Sequence, residues 1–249
     1  MEEDRPMKKM AEAFKELCNR LNEFPEGEEA RLELAAFANA CSLVSPLIRC
    51  LGGAFLFADI DYVSKVKDLV EASKSVSVLP VMIDNDVRSD CVRTIRSNTR
   101  NLLRMKRTLD MMKILFEQII SSEYVLPLPA AVASCFMGNS LKDPALEAYS
   151  VFTSYHGFGI RKDVTAGMFD AIPTKAEMLN KLNEDGDFYY AYYYLINLSI
   201  CLIESSIINY FPDSETSSRI QMQNFISSAA QVSEYIEQLL ISRGLGSEW

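Results

Sequence analysis

One histidine, His156, in a chain of 249 residues excludes a metal centre built on several imidazoles. The six cysteines (Cys18, Cys41, Cys50, Cys91, Cys135, Cys201) form no CxxC pair and follow no repeating spacing. They read as reduced, mostly buried side chains, not as a disulfide framework or a zinc site. No HExxH, GxSxG, GxGxxG or Walker phosphate loop occurs, which removes the common locally encoded catalytic centres. Neither a catalytic residue nor a metal or cofactor is expected. Glycine (10) and proline (9) are scarce, a poor supply for the turns of a sandwich or barrel. No apolar run follows the charged N-terminus, so a secretory signal is not expected. The longest uncharged apolar stretch that could pass for a membrane span, Phe188–Ile203, has 16 residues before Glu204, whereas a bilayer helix needs roughly 20. The expectation is a cytosolic protein with no transmembrane segment.

What remains is helical. Hydrophobic residues make up 49% of the chain, and leucine, alanine, methionine, glutamate and lysine are frequent, a mix that favours helices. Met7, Met10, Phe14, Leu17 and Leu21 recur every three or four residues and predict a helix over 6–22. Further helices are predicted over 30–53 (interrupted or bent near Pro46), 54–73, 76–90, 90–122, 143–154 and 157–169. Two more are predicted from the Thr174 cap to about Asn183, and over 217–243. The fold class is therefore all-α, with eight or so helices and no internal repeat.

Charge is the second informative shortage. The net charge is −9, yet Arg88, Arg93, Arg96, Arg100, Arg104, Lys106 and Arg107 face only Asp90 within twenty residues. A positive field on an acidic protein suits an anionic partner of limited size, because a long polyanion is repelled elsewhere. In the same predicted helix, Leu102, Met105, Leu109, Met112, Phe116 and Ile119 form a core stripe. The opposite face runs from Arg93, Arg96, Arg100, Arg104 and Arg107 into Met111, Ile114, Leu115 and Gln118. A wall touching an anionic head and then a hydrocarbon tail needs that sequence of groups. A helix solvated in its first half and buried in its second has the same pattern.

Asp61 and Lys65, four residues apart, would alone be a surface ion pair worth a few tenths of a kcal/mol. His156 before Gly157 would alone be a capping or core histidine. Three stretches taken together carry more: Phe57-Ala-Asp-Ile-Asp61-Tyr-Val-Ser-Lys65, Thr99-Arg100-Asn-Leu-Leu-Arg104-Met-Lys-Arg107 and Tyr155-His156-Gly-Phe-Gly-Ile-Arg161. They resemble the glycolipid-transfer-protein superfamily, in particular its ceramide-1-phosphate branch and the plant members linked to cell death. The resemblance covers about 1–122, 139–185 and 217–249.

That resemblance implies a two-layer helical sandwich around one sphingolipid. It implies that Asp61 accepts hydrogen bonds from the ceramide amide and hydroxyl, that His156 meets the amide carbonyl, and that Lys65, Arg100 and Arg104 hold a phosphate. Glycolipid-binding members carry a sugar-stacking tryptophan where Arg104 stands; the only tryptophan here, Trp249, lies at the far end of the chain. The physics fits these roles. A phosphate monoester carries about −1.5 to −2 charges, and arginine forks with a lysine point charge supply its donors. At about 0.8 kcal/mol per CH₂, a chain of ~16 carbons contributes on the order of 12 kcal/mol. Tails would hold the lipid and the head group would select it.

One lipid-transfer domain over 1–249 is expected. Its segments at about 124–138 and 187–215 have no counterpart in the resemblance and read either as insertions or as translated intron sequence. The expected partners are a sphingolipid with a phosphate head group and a transiently contacted membrane surface, with protein partners open and no nucleic acid. Non-catalytic transfer of ceramide-1-phosphate-type lipids between membranes is the leading reading. Glycolipid transfer and a lipid-gated adaptor are the alternatives.

Overall fold

In the computed structural model, residues 5–25, 27–121, 140–182, 213–247 and 249 are described. The expected segment 124–138, the apolar run Phe188–Ile203 and most of 187–215 lie outside them, as do Cys135 and Cys201. The described residues are helical and contain no named strand, as the composition predicts. The elements are α1 (Pro6–Asn22), α2 (Leu34–Ser42), α3 (Ser45–Cys50), a 3₁₀ turn (Gly53–Phe55), α4 (Leu56–Ala72), α5 (Leu79–Arg88), α6 (Asn98–Ser121), α7 (Lys142–Thr153), α8 (Phe158–Ala171), α9 (Lys175–Lys181) and α10 (Asp213–Ser242).

One expected helix is interrupted near Pro46, as its sequence allows, and another starts late. The stretch 30–53 is broken because Pro46 falls in the first turn of α3, where its missing N–H is no loss. Gly52 then reverses the chain at φ 103°, a left-handed conformation that glycine adopts freely. The stretch 90–122 does not begin at Asp90. Asp90 and Arg96 have positive φ, and the helix starts at Asn98. Its entry is built by side chains. Asp86 Oδ2 accepts from the Thr99 amide and the Thr99 hydroxyl, both at 2.8 Å, and Ser97 Oγ accepts from the Arg100 amide at 3.0 Å. Arg93 and Arg96 therefore sit on a loop before α6, not on its face.

Asp86 is buried, so its loss leaves two α6 donors without their acceptor. Asp86→Ala is expected to cost about 1–2 kcal/mol of stability, the range for a lost cap, read as a lower denaturation midpoint. A midpoint equal to wild type would show that the cap is dispensable. At α9 the predicted cap is realised as a reciprocal pair. Glu177 N donates to Thr174 Oγ1 at 3.2 Å, and Thr174 N donates to Glu177 Oε2 at 2.8 Å.

All six residues of the predicted α6 stripe are buried. α10 packs against both α1 and α6, α6 also packs on α4, α5 and α7, and α4 carries α2 and α3. The helices thus stack as layers about one apolar interior. At its centre Phe225 meets Phe14 and Phe116 edge to face, at centroid distances of 5.2 and 5.5 Å. Met7, Met10, Met105, Met111, Met112 and Met222 line the same interior. Flexible thioethers let such a core reshape around an entering chain more readily than branched residues do.

Candidate functional site

α4 carries Asp61 and Lys65 one turn apart, and the Lys65 ammonium is paired with the Asp61 carboxylate. The Lys65 side chain is 11% exposed and that of Asp61 62%. The lysine is thus held beneath an acid that faces solvent. α6 crosses α4 and brings Arg104 to 3.7 Å from Asp61 Oδ2. Arg100 stands one turn earlier, its Nη1 donating to the Arg93 carbonyl at 3.3 Å. On α6 the half-exposed Arg100, Arg104 and Arg107 give way to buried Met111 and Leu115, so the expected change along this face is present. Burial alone fits a solvated first half equally well. Convergence of Arg104 and Lys65 on Asp61 is the feature that simple solvation does not require.

His156 lies in the short connection between α7 and α8. Its ring stacks on Phe152 at 5.5 Å and 21°, and its Nδ1 is 2.8 Å from the Tyr149 hydroxyl oxygen. Burial pushes its pKa below the usual 6.5, the charges of Arg104 and Arg107 push the same way, and Asp61 opposes them. These charges place His156 within the electrostatic reach of the Asp61 cluster. The sign for stability follows. The unfolded chain takes up this proton near pH 6.5 and the folded chain only lower. Stability is therefore lost as pH falls from about 6.5 through the folded value. Four expected residues share one neighbourhood: Asp61, Lys65 and Arg104 through ion pairs, His156 through their fields. Arg100 is tied to the α6 entry loop.

Several residues were not picked out from sequence. Arg107 was placed on the cationic face but given no binding role. Its guanidinium lies 3.3 Å from the centre of the Tyr155 ring and donates to the carbonyls of Ser247 (2.9 Å) and Trp249 (2.6 Å). Trp249 is remote along the chain yet folds back to this end of α6, with Arg93 5.7 Å from its ring centroid. Its indole N–H is already donated to Leu245 and Gly246 carbonyls. Tyr149 and Phe152 were not singled out either; their spacing of seven and four residues ahead of His156 is the signal that could have found them. Exposed apolar side chains carried no signal, because a periodic pattern assigns apolar residues to the core. Phe57 and Ile60 on the first turns of α4 are 82% and 58% exposed, and Phe158 and Ile160 on the first turn of α8 are 76% and 53% exposed. The 3₁₀ turn preceding α4 packs on α8, which brings the two elements together. A shallow concavity of about 570 Å³ lies along α8, lined by Phe158, Arg161, Lys162, Thr165 and Ala166.

Helical layers around an apolar, methionine-rich interior, with a cationic cluster at its rim, are the plan of a helical lipid carrier. The chain belongs to the glycolipid transfer protein family, whose pattern matches residues 32–184. It is 43% identical over 249 residues to accelerated cell death 11 of Arabidopsis thaliana, covering 100% of this chain and 98% of that protein. Among solved structures it is similar to an aspartate-to-asparagine mutant of Arabidopsis accelerated-cell-death 11 complexed with C12 ceramide-1-phosphate. There the identity is 42%, the TM-score is 0.77, and all of both chains is covered. Human ceramide-1-phosphate transfer protein in complex with 12:0 ceramide-1-phosphate shares the fold at 15% identity. Its TM-score is 0.64, with 96% of each chain covered. Among the described residues no helix is long and apolar enough to cross a membrane.

Proposed function

We propose that this chain is a single lipid-transfer domain that binds one ceramide-1-phosphate-type sphingolipid and moves it between membranes without chemical change. The carrying observation is the convergence of Arg104 and Lys65 on Asp61 beside His156, at the point where the α6 face turns from cationic to apolar. Arg104 and Lys65, with Arg100 one turn away, meet the phosphate. Asp61 is repelled by phosphate, so it takes the amide and hydroxyl donors on the ceramide side. The tails enter the interior between the helices, where burial supplies most of the retention. The complex of the Arabidopsis relative with ceramide-1-phosphate supports this ligand class, and that relative's name supports a link to cell-death control. A cytosolic site of action follows from transfer between membrane surfaces.

The test is mass spectrometry of lipid co-purified with the recombinant protein, with vesicle-to-vesicle transfer of ceramide-1-phosphate and galactosylceramide run in parallel. Preferential capture and transfer of the phosphate lipid are expected. Equal transfer of both would return the reading to glycolipid transfer.

Membrane contact is assigned to the exposed apolar side chains beside the cluster. Phe57, Ile60, Phe158 and Ile160 provide apolar contact, and Arg161 and Lys162 attract anionic head groups. Phe57→Ser removes a ring that is almost free of protein contact, so folding is expected to be unchanged. Vesicle binding is expected to weaken by about 10-fold, on the scale of a lost buried aromatic. Sedimentation with vesicles measures it, and wild-type binding would place the contact surface elsewhere.

A further inference from the structure

Tyr149 is 5% exposed on α7, and its hydroxyl lies 2.8 Å from Nδ1 of His156. A buried hydroxyl hydrogen needs an acceptor. Among the described residues the imidazole Nδ1 is the acceptor in reach. Were Nδ1 protonated instead, two hydrogens would compete for one contact and the phenol hydrogen would be left unbonded. The ring is fixed from both sides as well, stacked on Phe152 and tilted 41° to Tyr149. Arg104 and Arg107 beside it oppose a third positive charge, and burial keeps the phenol protonated.

We infer that Tyr149 is a positioning residue that locks His156 as the neutral tautomer with its hydrogen on Nε2, giving the head-group site one uncharged donor among charged groups. Arginine and lysine seek the full charge of a phosphate. A neutral N–H in their midst suits a neutral acceptor, an acyl carbonyl adjoining that phosphate. This deepens the proposed function and rests on it: Tyr149 would make the site discriminate N-acylated phospholipids from equally charged lipids lacking the carbonyl.

His156 is the only histidine, so the imidazole nitrogens of the ¹⁵N-labelled protein are assigned without ambiguity. Above the titration of the ring, long-range ¹H–¹⁵N spectra are expected to show Nδ1 as an unprotonated, hydrogen-bond-accepting nitrogen and Nε2 as protonated. In Tyr149→Phe the hydrogen-bonded Nδ1 signature is expected to disappear. A wild-type ring protonated on Nδ1 would overturn the inference, and no variant is needed to see it. Vesicle transfer then compares ceramide-1-phosphate with its N-thioacyl analogue, in which sulfur, a weak hydrogen-bond acceptor, replaces the carbonyl oxygen at unchanged charge. Wild type is expected to favour the acyl lipid by about 3- to 10-fold, the scale of one neutral hydrogen bond, and Tyr149→Phe to lose most of that preference. A variant that slows both lipids equally, keeping the preference, would overturn the positioning role. Failure of the wild type to take up either lipid would count against the head-group reading instead, with the tautomer still decided by the ring spectrum.

Discussion

Arg104→Ala is expected to slow transfer of ceramide-1-phosphate between vesicles by about 10- to 100-fold, with the melting temperature shifted by less than about 2 °C. The two magnitudes have different origins. In the free protein Arg104 faces Asp61 at 3.7 Å with both side chains largely in water (42% and 62% exposed), and pairs of that kind contribute about 0–1 kcal/mol. Against a phosphate the same guanidinium offers a planar fork of donors to a group carrying about −1.5 to −2 charges. Hydrogen bonds to charged groups contribute about 1.5–3 kcal/mol, which is the stated fold-change. Lys65 does not compensate, because a point-charge ammonium that already contributes in the wild type cannot reproduce the planar fork of the lost guanidinium. A companion signal comes from His156. Arg104 is one of the charges that lower its pKa, so the ring is expected to titrate closer to its ordinary 6.5 in the variant. Transfer at the wild-type rate by a folded Arg104→Ala protein would remove Arg104 from the phosphate site. A lost rate with a collapsed melting temperature would make the residue structural.

Arg104 and its partners also show what the sequence could and could not disclose. Helical periodicity placed the α6 stripe correctly, since Leu102 to Ile119 is a three-and-four pattern that only a buried helix face explains. It failed at the entry to that helix. Asp90 and Arg96 adopt positive φ there, and the acceptor that caps α6 is Asp86 from the preceding helix, a tertiary contact with no periodic signature. The resemblance named five head-group residues, of which Asp61, Lys65, Arg104 and His156 stand in one neighbourhood and Arg100 is tied to the α6 entry loop. The Asp61–Lys65 pair is encoded by its spacing of four on α4, but the contact of Arg104 with Asp61 depends on α4 crossing α6, which neither segment encodes by itself. Trp249 is the clearest case. Its place against Arg107 and Arg93 depends on the chain turning back at Gly244 and Gly246, both with φ near +60°.

The second large effect concerns stability rather than selection. Phe225→Ala is expected to destabilise the protein by about 3–5 kcal/mol and to lower its melting temperature by roughly 10 °C for a domain of this size. The ring is fully buried on α10 and meets Phe14 of α1 and Phe116 of α6 edge to face. Its removal therefore costs apolar burial, two aromatic contacts and a cavity shared by three helices. The methionines around it, Met10, Met112 and Met222 among them, can partly fill the space, which favours the lower end of that range. Head-group choice should not follow. The ratio of ceramide-1-phosphate to galactosylceramide transfer, measured well below the melting point, is expected to equal that of wild type, because the ring meets Phe14 and Phe116 of the interior while Asp61, Lys65 and Arg104 pair with one another at the rim. Thermal denaturation and paired transfer assays read the two quantities independently. A melting temperature within about 2 °C of wild type would mean that α1, α6 and α10 are held together elsewhere. A changed lipid ratio at full folding would mean that the interior helps to choose the head group. The opposite pair of outcomes for Arg104→Ala, a changed ratio at constant melting temperature, would then separate the groups that select the lipid from those that hold the helices around it.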